Sequence, residues 1–191
     1  AGLLVSTVEA FERYQRESAW VWEHQALSRA RFAAGDAQLG ERFETVRRSV
    51  LSSSRDTGAL AREVIAMRRK MHEGHPNRSE LFDLKHDRGG MVDIEFIVQY
   101  LVLAHSAQHP QLLDNAGNIA LLGRAAEAGL IDGELATRVA NAYRRYRQLQ
   151  HKMRLDDTQY VRVPASEVAE QSAAVAALWK QTLENSTHAP L

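Results

Sequence analysis

The chain has 191 residues, 45% hydrophobic and 25% charged, with 24 basic residues balanced by 24 acidic ones and no cysteine. That length fits one domain with its own core. Zero formal charge argues against a nucleic-acid binder, which carries a basic excess, and the missing cysteines exclude a disulfide framework, thiolate chemistry and a cysteine zinc site.

No uncharged apolar run approaches the roughly 18 residues that a membrane helix needs. The opening Ala1-Gly-Leu-Leu-Val-Ser6 has no basic n-region and no cleavage site, so no signal peptide is expected. It reads as a cut inside a longer protein, just ahead of a helix, and a cysteine-free chain suits the cytoplasm.

Only 4 prolines are present, and apolar residues recur every three to four positions, so the expected fold is all-α: an up-and-down bundle of about seven helices. It forms one helical domain over residues 1–191, with 154–191 as a candidate C-terminal appendage. Ser6 and Glu9 fit a capping box that opens a long helix to about Phe32, carrying Phe11, Tyr14, Trp22 and Leu27 and stopped by Gly35-Asp36. Trp20 and Trp22 cannot share a face; one is expected in the core. A second helix carries Leu39, Phe43, Val46 and Val50, and a third Leu60, Val64, Met67 and Met71. A loop follows from His72 to about Ser79, and Leu81–Leu84 is short and extended.

Gly89-Gly90 precedes the most apolar helix, Met91 to about His105, which is apolar nearly all round and belongs at the centre. Asn115 or Asn118 opens the next helix, ending at Gly129. Asp132 caps another with Leu135, Val139, Ala142, Tyr146, Leu149 and Met153 at alternating spacings of four and three. Val161–Pro164 is an extended link, with Gln159–Val163 as a strap, and the last helix runs from about Glu167 to Leu183.

The densest segment is Phe82–Tyr100. Lys85, Asp87 and Arg88 lie just ahead of the central helix and Asp93 in its first turn, where a carboxylate meets free backbone N–H groups and the helix dipole. Gly89 and Gly90 permit positive φ or a close backbone approach. The first reading is a tight charged lead-in to a buried helix. The competing one is an interaction surface: Glu95 and Gln99 share a face and, if buried, need polar partners such as Lys85, Arg88, Arg29 or Arg31. Asp93-Ile-Glu95 looks like a metal-binding carboxylate pair, but residues i and i+2 diverge by about 200° on a helix, so no metal site is assigned. Gly89-Gly90 lacks phosphate-loop spacing.

Other constellations are weaker. His105 and His109 share a metal-compatible spacing but sit at a helix end before Pro110, where capping is the expected role. His72-Glu-Gly-His75 misses the H-E-x-x-H spacing by one residue. Arg138, Arg144, Arg145, Arg147, Lys152 and Arg154 form a basic band without an acid between Glu134 and Asp156; it is either a solvated, internally paired face or a surface for an acidic partner.

The pattern Lys85, Asp87, Gly89, Gly90, Asp93-Ile94-Glu95-Phe96, Gln99 resembles the helical domain that follows the catalytic domain in bacterial glutamine synthetase adenylyltransferases. The resemblance extends through Trp22-Glu-His-Gln-Ala-Leu-Ser-Arg-Ala-Arg31, Arg55-Asp56, Met67–Met71, Asn118-Ile119 and Ala142-Tyr143 with Arg147 and His151. It implies a C-terminal, nucleotidyltransferase-associated helical domain of a multifunctional enzyme that moves AMP from ATP to a tyrosine of glutamine synthetase, and so regulates nitrogen metabolism. The catalysis, ATP and magnesium then belong to a domain absent here: the family's Gly-Ser motif and strand carboxylates have no counterpart, so no catalytic residue and no cofactor is assigned and the chain alone is expected to be inactive. The implied partners are its own nucleotidyltransferase domain, glutamine synthetase and the PII signal protein, with neither nucleic acid nor membrane. Rivals are the helical domain of a PII uridylyltransferase and a free-standing protein-binding module.

Overall fold

The computed structural model describes residues 5–156 and 160–188. Among them, eight α-helices and one two-residue strand pair make the fold all-α, as the periodicity requires. They are α1 (Val8–Glu17), α2 (Val21–Ser28), α3 (Ala37–Leu51), α4 (Thr57–Gly74), β1 (Phe82–Asp83), α5 (Met91–His105), α6 (Asn118–Glu127), α7 (Gly133–Leu155), β2 (Arg162–Val163) and α8 (Ala169–Trp179).

Helix α5 is the axis. Residues 91–94 and 96–103 are all buried, and α2, α4, α6, α7 and α8 all pack on it. Three helix starts follow from aspartate caps: Asp36, Asp56 and Asp132 accept the backbone N–H groups of Leu39, Ala59 and Leu135 at 2.7–2.8 Å. The Asp132 seam faces inward, with Val139, Ala142 and Tyr146 fully buried.

The long first helix expected from the sequence is two helices, which raises the count from about seven to eight. Thr7, not Ser6, caps α1 through its hydroxyl. The chain then breaks at Ser18–Trp20 and restarts because Glu23 reaches back to accept the Trp20 N–H at 2.8 Å and the Tyr14 hydroxyl at 2.6 Å. The break frees α1 to lie on α3 while α2 lies on α5. It also turns both tryptophans outward: Trp20 is 69% exposed and Trp22 47%, so neither enters the core.

Helix α2 ends at Ser28, eight residues before Asp36, and the reason is Arg47. This side chain, 1% exposed, donates to the carbonyls of Leu27, Ser28 and Leu113 at 3.3, 2.8 and 3.0 Å and pairs with Glu44 at 2.7 Å. It satisfies carbonyls that a helix end otherwise leaves open. Helix α4 runs two residues past His72 to Gly74, and the last helix begins at Ala169 after a 3-10 turn.

Strand β1 pairs antiparallel with β2, Phe82 opposite Val163 and Asp83 opposite Arg162. This short clasp ties the segment before α5 to the segment after α7.

Candidate functional site

The charged turn between β1 and α5 is a closed set of hydrogen bonds. Asp83 Oδ1 accepts the N–H groups of Lys85 and His86 at 3.0 and 2.9 Å. Asp87 Oδ2 accepts the Asp83 N–H and the Asn77 amide, both at 2.8 Å. The Leu84 and Lys85 carbonyls accept from Met91 and Val92 at 2.9 and 3.2 Å, so the turn feeds directly into the first turn of α5.

Asp93 is the hinge of this set. One oxygen accepts the Gly89 N–H at 2.6 Å, and the other pairs with Arg68 Nε of α4 at 2.5 Å, both side chains being buried. Arg68 also donates to the His86 carbonyl at 2.8 Å. Tyr146 of α7 donates its hydroxyl to the Gly89 carbonyl at 2.9 Å. Burial and the nearby Asp93 carboxylate push the Tyr146 phenol strongly upward, so it acts as a donor throughout the ordinary pH range.

The two glycines are dictated by space. Gly89 has φ of +83°, and a Cβ there would lie 2.7 Å from the Ser172 carbonyl oxygen of α8. Gly90 has ordinary φ, but a Cβ would lie 2.9 Å from the carbonyl oxygens of Leu84 and Asp87. Asp87, Gly89, Gly90 and Asp93 are therefore the internal parts of the turn, whereas Lys85 and Arg88 stand exposed on its outside.

Glu95 and Gln99 share a face, and each has a polar partner. Arg29 donates to Glu95 at 3.3 Å, the Tyr143 hydroxyl reaches its other oxygen at 3.5 Å, and the Gln25 amide donates to Gln99 at 3.0 Å. Arg29 thus fills the role that Lys85, Arg88 or Arg31 were also candidates for. This face borders a cleft of about 370 Å³ that includes Trp22, Lys85 and His86. Asp93 and Glu95 engage different arginines, Arg68 on α4 and Arg29 just past the end of α2. No group of three or more metal-ligating side chains occurs among the described residues.

The basic residues of α7 do not form one band. At about 100° per residue, Arg138, Arg145 and Lys152 line one flank of the apolar seam, Arg147 and Arg154 lie on the other flank, and Arg144 lies toward the back. Arg145 pairs with Glu167 at 2.8 Å, Arg144 donates to Asn141 at 2.6 Å and Arg147 to Gln150 at 3.0 Å. Arg145 thus has an internal ion pair, Arg144 and Arg147 have neutral amide partners, and Arg138, Lys152 and Arg154 are exposed.

The histidines are occupied otherwise than the spacing suggested. His75 stacks on His86 at 4.3 Å, and His72 lies against the His86 carbonyl. Burial lowers the His105 pKa, with His109 adding to the effect, and the ring meets Tyr100 edge-on in the last turn of α5. Sequence reading missed Arg68 and Tyr146 as partners of the turn; both sit on other helices, and only their polar type on apolar faces hinted at it. No helix among the described residues is long and apolar enough to cross a membrane.

A family model described as GlnD PII-uridylyltransferase matches residues 63–187, and one described as glutamate-ammonia ligase adenylyltransferase matches residues 1–46. The chain is 56% identical over 187 residues to the bifunctional glutamine synthetase adenylyltransferase/adenylyl-removing enzyme of Bordetella bronchiseptica, covering 98% of this chain and 20% of that protein. The chain belongs to the glutamine synthetase adenylyltransferase family. The similarly named proteins of Ralstonia nicotianae and Nitrosomonas europaea are 60% and 48% identical over 185 and 194 residues, covering 95% and 94% of this chain. The chain spans about a fifth of the length of these adenylyltransferases: 20%, 19% and 21% respectively.

Proposed function

We propose that the chain is an accessory, regulatory helical domain of an enzyme that transfers AMP from ATP to a tyrosine of glutamine synthetase in the cytoplasm, and that it performs no transfer itself. The observation that carries this reading is the fate of the motif carboxylates. Asp83 and Asp93 engage both oxygens, and Asp87 its Oδ2, with backbone N–H groups, Asn77, Arg162 and Arg68. Carboxylates committed in this way hold a turn; they are not open to a metal–nucleotide complex. ATP and magnesium fall to a nucleotidyltransferase domain outside this chain.

In this reading the exposed cations Lys85, Arg138, Lys152 and Arg154 face partners: the adjoining nucleotidyltransferase domain, glutamine synthetase or the PII signal protein. The match of residues 63–187 to a PII-uridylyltransferase model favours one second reading, a helical domain serving uridylyl transfer. Both are tested by offering labelled ATP with glutamine synthetase, and labelled UTP with PII, to the 191-residue chain and to a protein extended upstream. AMP incorporation by the extended protein alone is the expected result. UMP incorporation alone would move the assignment to the second reading, and label transfer by the short chain would overturn the accessory role.

A further inference from the structure

A second cleft, of about 330 Å³, lies between α4, the outer side of the charged turn and the C-terminal end of α8. Arg68, Arg69, Arg88 and Lys180 line it, against the carboxylates of Asp93 and Glu184. Both Asp93 oxygens are already engaged, by Gly89 and Arg68. Arg69, Arg88 and Lys180 make no ion pair among the described residues. Like charges left together around a concavity raise the local concentration of anions.

The second observation lies inside. Arg68 is only 5% exposed, and although Nε and Nη2 have acceptors, Nη1 is buried without one. A buried donor on a charged group without a partner carries a desolvation cost, and Arg68 is one of the residues that line the cleft. Three arginines and a lysine match a doubly charged phosphate, with its three free oxygens, better than a singly charged carboxylate, which one guanidinium fork already satisfies. The remaining wall is apolar, formed by Ile65, Ala176 and Trp179, and the volume lies at the lower end of small-molecule sites.

We propose that this cleft binds the phosphate group of a small phosphorylated ligand, with Arg68, Arg69, Arg88 and Lys180 holding the phosphate and Trp179 flanking whatever is attached to it. This goes beyond the functional reading above and is independent of it, because it concerns what the cleft holds whichever transferase the domain serves.

The test is calorimetric titration of the 191-residue chain with inorganic phosphate, phenyl phosphate and acetate at low salt, with Trp179 emission followed in parallel and Trp179→Phe as the optical control. Saturable one-to-one binding of a phosphate probe is expected, with half-saturation below about 1 mM. Arg69→Gln and Arg88→Gln, both exposed positions, should each weaken it about tenfold with unchanged circular dichroism, and Lys180→Gln provides a third variant. Tighter binding of phenyl phosphate with quenching of Trp179 identifies a phosphate ester as the ligand type; equal affinities identify free phosphate. The proposal is overturned if neither phosphate probe saturates, if acetate binds as tightly, or if these variants bind like the parent.

Discussion

The Gly89 position shows how closely the turn is fitted. Its positive φ and the Ser172 carbonyl 2.7 Å from any added Cβ leave no room for another residue, so Gly89→Ala should destabilise the chain by about 2–4 kcal/mol through strain and a shift of α8. Tyr146→Phe removes the donor to the buried Gly89 carbonyl and should cost about 1–3 kcal/mol with no change in fold; urea denaturation of the two variants checks both values. A third residue-scale effect concerns protons. His24, His86 and His105 all have pKa values below the usual imidazole value, burial being the largest cause in each. His24 donates Nε2–H to the Gln15 carbonyl, and its Nδ1 is buried without a partner, so a second proton would have no acceptor. The unfolded chain therefore binds more protons below about pH 6.5, and the stability present above that value is lost as pH falls through the depressed folded-state values. Melting at pH 5 should occur at lower temperature than at pH 7.5, and His24→Gln should narrow the gap; an unchanged gap would remove His24 from the account.

At the scale of elements, what was legible in the sequence depended on how local its cause is. The limits of α5 followed from Gly89-Gly90 and an apolar run interrupted only by Asp93, Glu95 and Gln99 before His105, and Asp132 announced α7 because a cap acts within three residues. The break between α1 and α2 was not legible: Ser18-Ala19-Trp20 contains neither glycine nor proline, and the restart depends on a glutamate that fits an intact helix equally well. The end of α2 was hidden for a different reason, since Arg47 caps its carbonyls from 19 and 20 residues away and also reaches the Leu113 carbonyl across 66. Arg47→Leu keeps the bulk but takes the donor from the Ser28 and Leu113 carbonyls and leaves Glu44 only its longer contact with Arg48. It should lower stability by about 3–5 kcal/mol, and hydrogen exchange should be fastest in α2 and the 110–113 turn. Protection in α2 equal to the parent's would contradict the capping role.

For the whole molecule, the fold and the family resemblance were both readable, because the α5 motif is simultaneously a packing signal and a family signature. The division of labour within the motif was not, since it depends on which side chains meet Arg68 of α4, Tyr146 of α7 and Ser172 of α8 in space. That division separates an internal scaffold of Asp83, Asp87, Gly89, Gly90 and Asp93 from an outward set of Lys85 and Arg88. It also fits a domain that positions a neighbouring catalytic unit rather than performing its chemistry. The most direct test is thermal and urea unfolding of Asp93→Ala beside Lys85→Ala. Asp93→Ala strands the buried Arg68 charge and should lose about 3–5 kcal/mol or fail to fold, while Lys85→Ala should stay within about 0.5 kcal/mol of the parent. Parent-like stability in Asp93→Ala would contradict the account and return that carboxylate to a role at an interface or an active site.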